Sequence, residues 1–396
     1  MPPAFAELTH LLVRWVHLIA GIMWIGNSML FNWLDRNLEP AAKDKPRSLG
    51  TMWMVHSGGF YLVEKTHLAP GELPKTLHWF KWQNGITWLS GIGLLVLVYY
   101  MGGAAIMADG GTRPQWELVA IGIGSIVFAW LAYDAVWRSP LGKNATLGLS
   151  LSIAVVVLMS AVQFRFLGGR AAYIHTGVML GTIMTGNVWF VIMPSQRELI
   201  AATTEGRTQD PRIGYQAKQR SVHNNYITFP LLFIMLSNHF PLTFGNRWNW
   251  VVLIVLAIGS ALIRHLMNIR YTYVAWLVDG AVVLGVTCTL AAVFFAYPRG
   301  CATAGAKSSG RLEYADVEPI FRARCVPCHS SRPTSTIFRT APNGVLLETH
   351  EEVRGLLDRV KLRAVTLQNM PLGNATEITD DERATLAAWI DQEGAR

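Results

Sequence analysis

The chain has 396 residues, of which 51% are apolar and 15% charged, with a net charge of +8. That is too apolar for a soluble protein of this length. Residues 1–300 carry 22 Lys and Arg against 13 Asp and Glu, and residues 301–396 carry 12 against 13, so the basic excess belongs to the apolar part and fits topology-setting loops, not nucleic-acid binding.

In chain order, eight segments are apolar enough to cross a hydrocarbon core of roughly 30 Å, which takes about 20 helical residues. They lie near 8–34, 79–101, 116–137, 144–167, 171–193, 223–240, 248–268 and 273–297, the sixth being short and interrupted by Pro230. The N-terminus lacks a short apolar stretch with a small-residue cleavage site, so the first run reads as a retained anchor. Trp and Tyr gather at several segment ends (Trp79, Trp82, Tyr99, Tyr100, Trp116, Trp137, Trp248, Trp250, Tyr297), as an interfacial belt requires.

The loops set the orientation. One side holds Arg36, Lys43, Lys45, Arg47, Lys65, Lys75, Lys81, Arg138, Lys143, Arg197, Arg207, Arg212, Lys218, Arg220, Arg264 and Arg270, and the other only Arg14, Arg113, Arg165, Arg170, Arg247 and Arg299. The positive-inside rule then places both termini outside. In a bacterium that means a multi-pass inner-membrane protein with periplasmic termini. A short internal likeness links Gly21–Asn27 to Gly181–Asn187 and Asn84–Trp88 to Asn225–Phe229. A parallel four-plus-four duplication would produce it, and so would shared small-residue packing.

The expected fold is all-α. Residues 1–298 form an eight-helix transmembrane bundle and residues 299–311 a flexible Gly-, Ala- and Ser-rich linker, and residues 312–396, which carry the C-x-x-C-H haem-attachment pattern at Cys325–His329, form a small all-α domain of the class I cytochrome c type. In that last segment Val317, Ile320 and Phe321 share a helix face, and Leu386, Trp389 and Ile390 recur at helical spacing. Thr349 with Glu352 and Thr379 with Glu382 read as capping boxes.

Four cysteines are too few for a disulfide framework, and Cys288 and Cys301 read as bystanders in and after an apolar helix. Cys325-Val-Pro-Cys328-His329 carries the chemistry. Two thiols three residues apart can reach two vinyl groups of one porphyrin, and the next residue is a proximal ligand to its iron, so the motif reads as covalent attachment of haem c. Met370 is the candidate sixth ligand, which gives the haem iron His329 and Met370. The competing readings are a redox dithiol, which wants a βαβ context, and half a zinc site, which wants a second Cys or His pair where only His350 remains downstream.

Histidines inside lipid spans suggest function. His10, His17, His175 and His239 fall toward the outer side. His17, His175 and His239 are candidate ligands of a buried b-type haem or a metal, and the plain alternative is that each bonds a carbonyl of a neighbouring helix. His56, His67, His78, His223 and His265 fall toward the inner side. They come with Ser57-Gly58-Gly59-Phe60-Tyr61 (a loop by this reading), Lys65, Asn84, Asn224, Asn225, Tyr226, Arg264 and Asn268. Amides, cations and aromatic faces together suit a flat, anionic, nitrogen-rich molecule, while a solvated basic rim is the plain alternative. Asp134 and Asp279 lie within spans, where a carboxylate either pairs with a helix-borne base or relays protons.

Trp15-Val-His17, Trp24-Ile-Gly26, His56-Ser-Gly-Gly-Phe-Tyr61, His78-Trp-Phe-Lys-Trp82, His223-Asn-Asn-Tyr-Ile-Thr-Phe-Pro230, Met235-Leu-Ser-Asn-His239, the haem motif and Met370-Pro371 together carry a resemblance. Over nearly its whole length the chain resembles the bacterial integral-membrane urate oxidases (urate hydroxylases) with a fused cytochrome c. The resemblance implies oxidation of urate to 5-hydroxyisourate in purine breakdown, with electrons passed to haem c and on to a soluble cytochrome c or a terminal oxidase. The oxidation needs a proton acceptor, and His56, Lys65, His78, His223 and Asn225 are the candidates for catalysis and substrate contact. Motif and composition by themselves also admit a quinol or other metabolite dehydrogenase, or a non-enzymatic electron-relay subunit. Eight spans with nine histidines in them or their loops count against a mere anchor.

Overall fold

A computed structural model describes residues 3–40, 47–69, 71–108, 113–245, 248–295, 311–335, 338 and 341–394. Lys43, Lys45, Arg247, Tyr297, Cys301 and linker residues 299–310 lie outside the described residues.

The long helices are α1 (Pro3–Asn37), α2 (Trp82–Leu94), α4 (Gln115–Arg138), α5 (Ala145–Phe166), α6 (Gly169–Asn187), α8 (Pro211–Ser237), α10 (Asn249–Ile269) and α11 (Trp276–Phe295). A π-helical stretch, Leu95–Tyr100, extends α2, and another, Val188–Ile192, joins α6 to α7 (Met193–Glu205). The short α3 (Ala104–Met107) and α9 (Pro241–Phe244) lie in connections.

Among the described residues six helices are long and apolar enough to cross a membrane, not the eight expected. The two that fall short are α2 with its extension and α8, and both still pack in the bundle. Their polar residues explain the shortfall. Asn84 of α2 and Arg220, Asn224, Asn225 and Thr228 of α8 are buried against other helices, where hydrogen bonds replace water. The centre of the bundle is α6, which touches α2, α4, α5 and α8. Its most apolar window is 56% buried, against 6% in α1 and α11, which flank the bundle. Helix α1 packs on α2 and α6 on α8, a pairing that fits a parallel duplication.

The all-α expectation missed a hairpin. Strands β1 (Ser48–His56) and β2 (Gly59–Thr66) pair antiparallel, His56 opposite Gly59. Ser57 (φ 50°) and Gly58 (φ 77°) make the two-residue turn, both left-handed, as a hairpin turn of this length favours. Trp53, Val55, Phe60 and Leu62 stand exposed along it.

The C-terminal segment folds as α12 (Tyr314–Ile320), α13 (His350–Arg354), α14 (Leu357–Val360) and α15 (Asp380–Glu393). Both capping boxes form. Val317, Ile320, Phe321, Leu386, Trp389 and Ile390 share one core, with Cys325 packed against it. This domain rests on one end of the bundle. Leu372–Asn374 packs on α3, whose Met107 is fully buried and whose backbone carbonyl accepts from Gly168 N (2.8 Å). A Cβ built on Gly245, just after α9, would stand 2.8 Å from Pro241 O, 3.2 Å from Asn369 Nδ2 and 3.5 Å from Leu367 Cβ, so the two parts of the chain close on a position that only glycine fills.

Candidate functional site

Residues 325–329 form a single helical turn, closed by His329 N donating to Cys325 O at 2.9 Å. Positions i, i+3 and i+4 share a helix face, so both cysteines and the histidine point the same way. Both cysteines are free thiols. Burial pushes the Cys325 thiol up to about 12, the opposite of the depressed value a redox-active dithiol uses. His329 Nδ1 faces Val345 O at 3.0 Å, which fixes that nitrogen as the donor and leaves Nε2 for iron. Met370 sits half-buried on a separate loop, held by its N–H to Arg363 O (3.2 Å) and by Arg383 Nη1 to its carbonyl (2.8 Å). The donor set is thus two thiols on one face, a histidine with one nitrogen already oriented, and a tethered thioether. It fits a c-type haem. Nearby, Arg324 bonds both oxygens of Glu382 at 3.1 Å. Burial raises the Glu382 carboxyl, but the Thr379 N–H and Arg324 outweigh it and hold it below the ordinary value.

Within the bundle, the three histidines expected as ligands are not brought together. His17 Nδ1 faces Thr87 O (2.9 Å) and Ser90 Oγ (3.1 Å) on α2, and its ring lies against Gly91. His175 is fully buried. Its Nδ1 faces Ala171 O (2.7 Å), its Nε2 faces Tyr100 Oη (3.2 Å), and the ring is so close to Gly122 that a Cβ there would meet it at 2.7 Å. His239 is exposed at the end of α8. No group of three His, Cys, Asp or Glu able to hold a metal occurs among the described residues. As arranged, both nitrogens of His175 are engaged within the bundle and His17 is held against α2.

The end of the bundle away from the C-terminal domain holds two polar clusters, one on each side of α8. His223 and Asn225 are two residues apart, hence about 200° around the helix. On one side, His223 Nδ1 meets Tyr133 Oη at 2.7 Å, and its ring centroid lies 4.5 Å from that of Trp137. Asn187 donates to Tyr133 Oη (3.0 Å) and to Asn224 Oδ1 (2.9 Å). Arg220 donates to Asp134 (2.9 Å), to Asn187 Oδ1 (3.3 Å), and lies over the Tyr133 ring. Asp134 also pairs with Arg138, so of the two expected roles it takes the ion pair. On the other side, Asn225 Oδ1 accepts from Arg264 Nε (3.1 Å) and Asn268 Nδ2 (2.7 Å). At the rim of that seam Tyr226 Oη meets His265 Nδ1 at 2.8 Å with the rings stacked.

The other expected catalytic residues stand apart from these clusters. His56 is exposed at the hairpin turn, Lys65 on β2 pairs with Asp35 at 2.6 Å, and His78 is exposed in the connection before α2. Tyr133 has no place in the sequence reading, which puts Tyr100 in the interfacial belt and Asn187 in the internal likeness and none of the three in a site. Their one signal was a polar group within an apolar helix.

Neither curated proteins nor solved structures gave a match to the chain. A family model described as urate oxidase N-terminal matches residues 3–295, which is the whole helical bundle with its hairpin. The chain therefore belongs to the urate oxidase N-terminal family.

Proposed function

We propose that the chain oxidises urate to 5-hydroxyisourate in purine breakdown, and that the electrons leave through a c-type haem held by Cys325, Cys328, His329 and Met370. The observation that supports this most is the joining, in one chain, of a urate-oxidase-family bundle to a docked domain whose C-x-x-C-H turn presents an oriented histidine. The balance is simple. Urate anion and water give 5-hydroxyisourate, one proton and two electrons. The haem, when bound, supplies a one-electron acceptor, so each urate requires two transfers.

The bundle sits in a bacterial inner membrane with the docked end in the periplasm. The Lys and Arg asymmetry supports this orientation: Arg165 and Arg170 lie at the docked end, while Arg138, Lys143, Arg197 and Arg270 lie at the other. The chain's own residues hold the purine, exclude water until the oxidised carbon is ready, and take the proton. His265 is suited to the last task, since its Nδ1 is oriented by Tyr226 at the mouth of a polar seam. A soluble cytochrome c or a terminal oxidase takes the electrons onward. Urate added without oxygen to the oxidised full-length protein is expected to bring up the reduced haem c bands. Reduction by a quinol but not by urate would replace this reading with a quinol dehydrogenase.

A further inference from the structure

The two deepest arginines of the bundle differ in one respect. Arg220 is met by Asp134. Arg264 is as well buried, 5% exposed, yet among the described residues it makes no ion pair. Its Nε goes to Asn225 Oδ1, and its guanidinium lies 5.4 Å from the Phe229 ring centroid. Asp279 is taken by the Tyr273 hydroxyl and Asp35 by Lys65. Arg36 and Arg270 add to the positive field around it.

A second observation lies beside the first. Asn268, also 5% exposed, spends its N–H on Asn225, and its own Oδ1 is buried with no hydrogen-bond partner. A buried cation without an anion and a buried acceptor without a donor are both costly. One planar molecule with an anionic edge and an adjacent N–H would relieve both. A carboxylate offers the charge but no donor, and hydrogen phosphate offers charge and an O–H but no flat face for Phe229. An oxopurine anion offers both, and a flat face for Phe229. Arg264 lies five residues, about 8 Å, from the helix end at Ile269, and its neighbour His265 is exposed.

We propose that Arg264, Asn268 and Asn225 form the seat of a planar, anionic, N–H-bearing ligand, and, resting on the urate reading above, that this ligand is the urate anion. Tyr226 and His265, the next residue along on each helix, then border the bound purine.

The test uses full-length protein in nanodiscs of zwitterionic lipid, so that no anionic headgroup competes. It is kept reduced with dithionite so that urate is not consumed. Equilibrium dialysis with labelled urate is expected to show one site in the native chain. Arg264→Gln should weaken it by about ten- to a hundredfold, the loss of one charge-assisted hydrogen bond. Asn268→Asp supplies the missing counter-charge within the chain. It should abolish urate binding, because the Arg264 guanidinium then has a carboxylate beside it. Native-like urate binding by Arg264→Gln would overturn the seat while leaving the urate reading intact. If the native chain neither binds urate nor is reduced by it, the urate reading falls. The anion seat then stands or falls on the melting of ligand-free Arg264→Gln, which loses a buried charge that has no anion and should melt no lower than the native chain; a lowered melting temperature would overturn it.

Discussion

A chain with Cys325→Ser and Cys328→Ser will carry no haem that survives denaturing electrophoresis, and urate will no longer drive electrons to any acceptor. The effect is total because a thioether needs the sulfur, and because the domain offers no other thiol on that face among the described residues. His329→Ala separates attachment from ligation. Both thioethers can still form, but the imidazole whose Nδ1 is oriented by Val345 O is gone, and the reduced spectrum should lose its low-spin form. The bundle is built from other residues, so its melting should not move in either variant. Covalent haem in the double serine variant would refute the assignment. A thiol pair that titrates reversibly with reductant would instead favour the dithiol.

Asp134→Ala is expected to destabilise the bundle by about 3 kcal/mol, the lower end of what removing one partner of a buried ion pair costs. The lower end applies because the Asp134 side chain is 17% exposed and Arg138 shares it, whereas Arg220 is only 4% exposed. The loss would spread, since Arg220 also holds Asn187, and Asn187 holds Tyr133 and Asn224. A melt in detergent would show it. Adding Arg220→Met to Asp134→Ala should recover much of the loss, because no buried charge is then left alone. A melt of Asp134→Ala within a degree of the native one would show that the pair carries no weight.

These residues also mark the boundary of what was legible beforehand. Features encoded locally came through: the C-x-x-C-H turn, the capping boxes at Thr349 and Thr379, and the core faces of α12 and α15. Six of the apolar spans followed from length and composition. Helices α2 and α8 strain that reading, because Asn84, Arg220, Asn224 and Asn225 find their partners on other helices and hydropathy cannot see a partner. The hairpin was taken for a loop because Ser57-Gly58 is a short turn signal and its flanking strands lack a clean inward and outward alternation.

The candidate site shows the same limit more sharply. Residue types around His223 and Asn225 pointed to a polar cluster, and one exists. Adjacent positions on a helix nevertheless face different neighbours, so the cluster divides between Tyr133 and Arg264. That Arg220 has an anion among the described residues and Arg264 does not is a fact about pairs of helices. No local pattern carries it.

The most direct measurement is an anaerobic spectrum of the oxidised full-length protein before and after urate. Urate oxidation through the C-terminal domain predicts that the reduced haem c bands rise, with one urate consumed for every two haems reduced. An unchanged spectrum with urate, in a protein whose haem is reduced at once by a quinol, would contradict it.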